Sequence, residues 1–268
     1  MKVLAMLLFA VIATTTGAMS TGPTMWAPPG SKGVANADGS ITVIPPVEWR
    51  YVGYTAEGEA VFASSATITC KCSAPQNASC RPFFVDAGSG MWGCLQDGCT
   101  SCTGNSMVNN REVERGGFVN IGDRDPVAFV EPGEDLPMAF PAMLAVPEYQ
   151  VVVRKFIEKH FGSYEIPNVE MNSGVAPKGF MWVPIKMFGR MAMIIAPSTN
   201  PDLAASFLAS GPSCTGCSST QCKLTTKGGW GLPEVSICEP ACSEGCTLRA
   251  KISKDGATYT IESRSYQW

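Results

Sequence analysis

The chain has 268 residues, with 20 basic and 23 acidic side chains and a formal net charge of −3 at pH 7. It has neither a basic run nor a stretch rich in arginine and aromatic residues, so its composition argues against a nucleic-acid partner. Glycine (27), proline (20) and cysteine (12) are abundant while only 16% of residues are charged. This balance favours many turns and short strands.

Residues 1–20 are predicted to be an export signal. Lys2 is followed by an apolar run from Val3 to Ala13 and then by small residues, which is the usual order of charge, hydrophobic core and cleavage site. The run is too short to cross a bilayer, which needs roughly twenty residues. We expect cleavage after Ala18 or Ser20, a mature chain without a membrane span, and a secreted, periplasmic or cell-surface location. A retained membrane anchor is the alternative.

Residues 21–110 are predicted to form an N-terminal β region. Residues 21–33 are rich in proline and glycine, and we expect a mobile arm there. Alternating residues then predict strands over 40–55 and 60–70, with a turn at residues 57–59 between them. These strands lead into the first group of cysteines.

The cysteines form two groups of six, which we name module 1 (70–102) and module 2 (214–246). Both groups span 33 residues, and threonine follows the last cysteine in each. We interpret them as one module used twice, and the alternative is independent convergence on similar spacing. The members are Cys70, Cys72, Cys80, Cys94, Cys99 and Cys102, and then Cys214, Cys217, Cys222, Cys238, Cys242 and Cys246.

Export into an oxidising compartment predicts that all twelve cysteines form disulfides. We expect pairing within each group, but six cysteines allow 15 connectivities and the sequence does not choose among them. Zinc is an alternative, because Cys99-x-x-Cys102 and Cys214-x-x-Cys217 resemble half-sites, although no histidine lies near either. A thioredoxin-like dithiol is disfavoured by the β-branched and turn residues after Cys217, and an iron–sulfur cluster by its need for reduced thiolates.

The middle region, residues 111–212, is predicted to be α+β. Apolar residues recur with helical spacing from Pro147 to Phe161, and Gly162 follows as a stop signal. Residues 179–198 predict two strands around a turn at residues 188–190, and a short helix is expected over residues 200–209.

Residues 213–268 are predicted to hold module 2 and a C-terminal hairpin with its turn at residues 254–256. Taken together, the elements predict a β-dominated α+β fold. We expect short twisted sheets covered by one or two helices, with two disulfide-stapled six-cysteine modules.

Catalytic signatures are absent from the sequence. The single histidine, His160, lies on or beside the apolar face of the predicted helix, and neither Gly-x-Ser-x-Gly nor His-Glu-x-x-His occurs. Paired carboxylates remain open, because they can come from any part of a chain. The densest acidic stretch is predicted to be a solvated loop, with a calcium site as the alternative; its acids are Asp123, Asp125, Glu131, Glu134 and Asp135.

The methionines of the central hairpin raise the hypothesis of a copper(I) site. Thioethers bind copper(I) where thiols are oxidised, and the candidates are Met181, Met187, Met191 and Met193. Methionine also fills apolar cores, and this stretch is otherwise core-like, so we predict no metal and no cofactor. Asn77-Ala78-Ser79 is a glycosylation sequon, which predicts an exposed loop if the source is a eukaryote.

These observations predict an exported, disulfide-stabilised binding or structural protein with no catalytic residues, more consistent with a non-enzyme than with an enzyme. Its partner is unknown, and a protein or glycan at the cell surface is compatible with the sequence. Two alternatives stay open: a metal-handling exported protein that uses zinc or copper, and a carboxylate-dependent, carbohydrate-active enzyme.

Overall fold

A computed structural model describes residues 20–73, 78–86, 90–113, 115–165, 174–207, 211–216, 222–227, 235–239 and 245–265. Strands make up 54% of the structure and helices 12%. The predicted β-dominated α+β class is therefore confirmed, with short antiparallel sheets and disulfides in two clusters.

In the first half of the chain, the described residues form strands and the loops that join them. They form a three-stranded sheet in the order β1-β8-β7, a five-stranded sheet in the order β10-β9-β6-β3-β2 and a three-stranded sheet in the order β11-β4-β5. Their bounds are β1 (Ser20–Ala27), β2 (Lys32–Ala35), β3 (Ile41–Ile44), β4 (Trp49–Tyr54), β5 (Ala60–Ala63), β6 (Ala66–Ser73), β7 (Ser79–Val85), β8 (Gly90–Asp97), β9 (Ser101–Val108), β10 (Arg111–Val113) and β11 (Arg115–Asn120).

The second half adds three helices and two further sheets within the described residues. The sheets have the orders β12-β13-β14-β17-β16 and β15-β18-β19. The element bounds are β12 (Val127–Phe129), α1 (Pro141–Leu144), α2 (Pro147–Phe161), β13 (Phe180–Met187), β14 (Arg190–Pro197), α3 (Pro201–Ser206), β15 (Ser213–Thr215), β16 (Lys223–Lys227), β17 (Val235–Glu239), β18 (Thr247–Lys254) and β19 (Ala257–Arg264).

Both predicted hairpins are confirmed. The β13–β14 turn consists of Phe188 and Gly189, and the β18–β19 turn consists of Asp255 and Gly256. All four residues have positive φ angles, between 50° and 78°. Two central residues with positive φ give a turn whose twist matches that of the flanking strands, which explains why these short loops close the hairpins.

The main helix is confirmed with the predicted bounds. Helix α2 begins with Pro147 at its first turn and is followed by Gly162, whose φ is 72°. Helix α3 begins after Asn200, whose side chain accepts hydrogen bonds from the backbone N–H groups of Asp202 and Leu203. Capping by this side chain satisfies donors that have no partner inside the helix.

The predicted extension of the second helix to residue 209 is wrong at its C-terminal end. Helix α3 ends at Ser206, and Phe207 is extended and forms an antiparallel bridge with Ile252 of β18. Phe207 is 6% exposed, so tertiary pairing and burial outweigh local helix propensity at this position. Residues 208–210 lie outside the described residues. Helix α1, over residues 141–144, was not predicted.

The expectation of a mobile arm over residues 21–33 is wrong. This segment contains β1, which pairs with β8 and buries Met25, Trp26 and Ala27. The backbone carbonyl of Trp26 accepts a hydrogen bond from the indole Nε1 of Trp92 at 3.3 Å. Because β1 is an edge strand, its outer N–H groups need no ladder partner and proline is tolerated there.

Two hydrophobic cores meet at Arg190. One core contains Trp26 and Phe118, and the other contains Met138 and Phe140. Arg190 is fully buried, donates from Nε to the carbonyl of Phe118 at 2.5 Å and donates from Nη1 to the carbonyl of Met138 at 2.9 Å. Its guanidinium also lies 5.1 Å from the ring centroid of Trp26 and 4.6 Å from that of Phe140. One cation thus connects groups from both cores.

We expect Arg190→Ala to lower the free energy of unfolding by about 3–5 kcal/mol, because it removes charged hydrogen bonds and leaves buried carbonyls and a cavity. Arg249→Ala is the matched control, since the Arg249–Glu262 ion pair is about half exposed and such pairs contribute roughly 0–1 kcal/mol. Urea unfolding at constant m-value measures both changes. Equal, small losses in the two variants would contradict a joining role for Arg190.

Alkaline pH should destabilise the fold through its buried tyrosines. Burial raises the pKa of Tyr51 and of Tyr149 to about 12, from an ordinary value of 10.0. The folded state holds these protons more tightly than the unfolded state, so the stability they contribute is complete below pH 10 and is lost as pH rises towards 12. Urea midpoints across this range test the expectation.

The matched variants for this pH effect are Tyr51→Phe and Tyr259→Phe. Tyr51→Phe should reduce the alkaline loss of stability, because it removes one of the buried titrating groups. Tyr259, which is 40% exposed, serves as the control, and its replacement should leave the loss unchanged. A urea midpoint that does not fall between pH 10 and pH 12 would refute the expectation.

Candidate functional site

Disulfide bridges are the clearest chemical feature of the structure. In both groups the first cysteine pairs with the fourth and the third with the sixth, and in module 1 the second pairs with the fifth. The Cα–Cα distances of the bridges are 5.6–5.8 Å, within the ordinary range. Among the described residues the bridges are Cys70–Cys94, Cys72–Cys99, Cys80–Cys102, Cys214–Cys238 and Cys222–Cys246.

Three of these bridges connect strands of sheets that share no strand. In module 1, Cys70 on β6 is bonded to Cys94 on β8, and Cys80 on β7 is bonded to Cys102 on β9. Strands β7 and β8 belong to one sheet and β6 and β9 to another. In module 2, the bridge between Cys214 and Cys238 likewise connects β15 with β17. The sulfurs therefore attach two small sheets to each other in both regions.

The described cysteines of the two half-sites considered for zinc are bonded to cysteines outside their half-site. Cys99 is bonded to Cys72, Cys102 to Cys80, and Cys214 to Cys238. Cys217 and Cys242 lie outside the described residues, as does Asn77 of the sequon. None of the described cysteines is free. Because metal ligation uses thiolates, bonded cysteines supply no thiolate donors while they remain oxidised.

The bridges nevertheless bring sulfurs from different pairs close together. One such set is Cys70, Cys80 and Cys94, and the other is Cys214, Cys222 and Cys238; within each set the sulfurs lie within 4.8 Å of one another. Both sets contain the first, third and fourth cysteines of their group. Reduction of the bridges would place several soft donors around one point, which is the arrangement that the metal-handling alternative requires.

The four candidate methionines are buried but do not converge. Met191 and Met193 on β14 pair with Lys186 and Pro184 of β13. Residues directly opposite each other share a face and side chains alternate along a strand, so Met181 and Met187 lie on the other face of the hairpin. All four methionines are at most 3% exposed. This placement is typical of methionine used as core filling.

The acidic stretch carries ion pairs with lysines. Glu134 pairs with Lys186 at 2.7 Å, and Glu131 pairs with Lys254 at the β18–β19 hairpin. Asp123 accepts a hydrogen bond from the backbone N–H of Asp125 at 3.2 Å. These contacts are those of a surface loop held against β13 and the β18–β19 hairpin, which agrees with the solvated-loop interpretation.

His160 lies against an aromatic cluster on the surface of α2. Its ring centroid is 5.0 Å from that of Phe129 and 4.6 Å from that of Phe156. Partial burial, with a smaller effect of the positive charge of Lys159, lowers the pKa of His160. The neutral imidazole is therefore favoured, which suits packing against aromatic rings.

A small surface groove lies between β12, α3 and the β18–β19 hairpin. It has a volume of about 170 Å³ and an apolar lining that includes Phe129, Leu203, Phe207 and Ile252. Glu131 and Lys254, which form an ion pair, also line it. Pockets for drug-sized ligands measure roughly 300–1,000 Å³, so this groove has room for a side chain or a single small ring. No sequence pattern pointed to it, because its lining comes from three separate segments.

Comparisons with protein-family models, with curated proteins and with solved structures gave no match. Among the helices of the described residues, none combines the length and the apolar character needed to span a membrane.

Removing one bridge between the sheets should cost much of the stability of module 1. We expect the double variant Cys70→Ala with Cys94→Ala to lower the free energy of unfolding by about 3.5 kcal/mol, because the bridge closes a loop of 24 residues and constrains the unfolded chain. Urea unfolding of the oxidised protein measures the change. A loss below about 1 kcal/mol would show that packing alone holds the two sheets together.

Proposed function

We propose that the chain is an exported binding or structural protein of the extracellular space, the periplasm or the cell surface. The five disulfides carry this proposal, because such bridges form and persist in oxidising compartments and are rare where thiols are kept reduced. The signal-like pattern of residues 1–20 supports it independently. Bridges that attach sheet to sheet suit a protein that must keep its shape outside the cell.

A binding role agrees with the structural use of the residue types that could otherwise carry out chemistry. All ten cysteines that the structure describes are bonded, the four candidate methionines are buried, and two of the glutamates are paired with lysines. The partner class that we propose is a protein or glycan at the cell surface, contacted through surface loops and sheet edges.

Metal handling is the second candidate, and the close sulfurs of Cys70, Cys80 and Cys94 favour it. It requires these cysteines to be reduced in the working protein, so that thiolates face one soft ion. Metal analysis of the purified mature protein, together with thiol counting, separates the two candidates. Unreactive thiols and no stoichiometric ion support the binding or structural role, whereas reactive thiols with one bound ion support metal handling.

The export proposal is tested by producing the full chain from its own start in a host with an export pathway. We expect the protein in the exported fraction, with the mass of a chain that begins at Met19 or Thr21. No cysteine should react with an alkylating agent before reduction. Leu7→Arg, which places a charge in the apolar run, is the control and should retain the chain inside the cell. An uncleaved wild-type protein in the cytosolic fraction, with alkylated thiols, would refute export.

A further inference from the structure

Strand β19 lies at the edge of its sheet. It ends the order β15-β18-β19, and its pairs with β18 run from Thr247–Arg264 to Lys254–Ala257 without a bulge. In an antiparallel ladder, alternate residues direct both of their backbone groups towards the neighbouring strand, and the residues between them direct both groups away. The direction at one position therefore fixes the direction along the whole strand.

Two backbone contacts fix this direction for β19. The N–H of Ser265 donates to the carbonyl of Cys246 at 2.7 Å, on the side of β18. The carbonyl of Arg264 accepts a hydrogen bond from the N–H of Met138 at 2.9 Å, on the other side. Odd-numbered residues from 257 to 265 therefore face β18, and even-numbered residues direct their N–H and C=O groups outwards.

The outward residues are Thr258, Thr260 and Glu262, and all three are exposed. The described part of the chain supplies no backbone partner for their N–H and C=O groups. Water satisfies such groups in a single chain. A row of outward N–H and C=O groups is also a template on which another strand can pair.

Other long edges in the described residues carry features that hinder such pairing. Strand β1 has a register shift after Thr21, β7 contains Pro82, and β16 begins with the exposed Lys223. Strand β11 is partly covered, because Asn120 donates its N–H to the carbonyl of Phe188. Bulges, proline, exposed lysine and covering segments are the usual protection of an edge. The first five residues of β19, ATYTI, contain neither proline nor charge.

The same segment has the residues that strands prefer. Residues 258–261 read TYTI, which are β-branched or aromatic. Tyr259 is 40% exposed in the single chain. The next residue, Glu262, forms an ion pair with Arg249 of β18 at 2.8 Å, so its charge is countered within the same hairpin. A strand that pairs here meets no uncompensated charge.

We propose that two copies of this chain associate through β19, antiparallel about a two-fold axis. Thr258 of each copy then lies opposite Thr260 of the other, and their outward groups form four backbone hydrogen bonds. Tyr259 lies opposite the same residue of the second copy, an aromatic pair of the kind that stabilises sheets. The two three-stranded sheets become one sheet of six strands. The proposal goes beyond the proposed function and does not depend on it.

The contact at Arg264 selects this register. Pairing Thr258 with Glu262 of the second copy would place the β18–β19 turn of one copy opposite residues 264 and 265 of the other. Met138 already occupies the edge at that position. Pairing Thr258 with Thr260 places the turn opposite residues 262 and 263 instead, so the two copies meet without that collision.

A second copy is the occupant because one edge supplies both strands. The same residues face each other across the axis, so the association closes at two chains. Pairing also covers the outward groups of β19 on both copies, which leaves no template for a third.

The test is sedimentation equilibrium of the purified oxidised protein from about 1 μM to about 1 mM. We expect the mass of one chain at the low end and of two chains at the high end. Thr260→Pro removes an outward N–H without removing a bond to β18, and it should raise the dissociation constant at least about tenfold. Thr260→Val, which keeps the N–H and the branched shape, is the matched control and should leave the dissociation constant unchanged.

A single-chain mass at every concentration, or assemblies of more than two chains, would overturn the proposal. So would a dimer whose dissociation constant is the same in Thr260→Pro and Thr260→Val.

Cross-linking tests the register without depending on how well Thr260→Pro folds. Opposite residues that do not share hydrogen bonds have Cα atoms about 4.5 Å apart, which is within the range of a disulfide. Under mild oxidation, Tyr259→Cys should therefore give a covalent dimer in denaturing gels without reductant. Glu262→Cys is the control, since its two copies lie six residues apart along the paired strands, and it should stay monomeric in the gel. No cross-link in Tyr259→Cys, or equal cross-linking in both variants, would refute this pairing.

Discussion

The covalent attachment of one small sheet to another is the constraint on which both cysteine regions depend. A few short strands bury little apolar area, so hydrophobic burial alone offsets only part of the entropy lost on folding. Bridges such as Cys70–Cys94 lower the entropy of the unfolded chain and also place sulfur, which packs as a small apolar group, between the layers. Cys94 and Cys238 are at most 1% exposed. The bridges therefore act both as covalent connections and as core.

The regions between and around the modules are held by ordinary packing. Arg190 contacts both hydrophobic cores, and Trp49 lies so close to Gly189 that a Cβ there would stand 2.6 Å from its ring. The turn of the β13–β14 hairpin thus needs glycine both for its positive φ and for space. The molecule combines two covalently attached regions with a middle region in which methionines, aromatic rings and one buried cation fill the interior.

The structural use of these side chains bears on function. Residue types that carry chemistry elsewhere are used here for structure: bonded cysteines in the modules, buried methionines in the hairpin and paired glutamates on the surface. His160 packs against aromatic rings. The proposal of a binding or structural role rests on the disulfides and on this structural use of the side chains.

Local patterns in the sequence determined helix α2, the two-residue hairpin turns and the β-dominated class, because helix stop signals, strand alternation and turn residues act over a few neighbouring positions. Within-group pairing of the described cysteines also followed from their number and spacing. The predictions from sequence were wrong for residues 21–33, where β1 pairs with β8. They were also wrong for the end of α3, where Phe207 forms a bridge with Ile252. Connectivity, strand register, the opposite faces of Met181 and Met191, and the burial of Arg190 were decided only by tertiary structure. Each depends on which distant segments meet, and no local pattern encodes that choice.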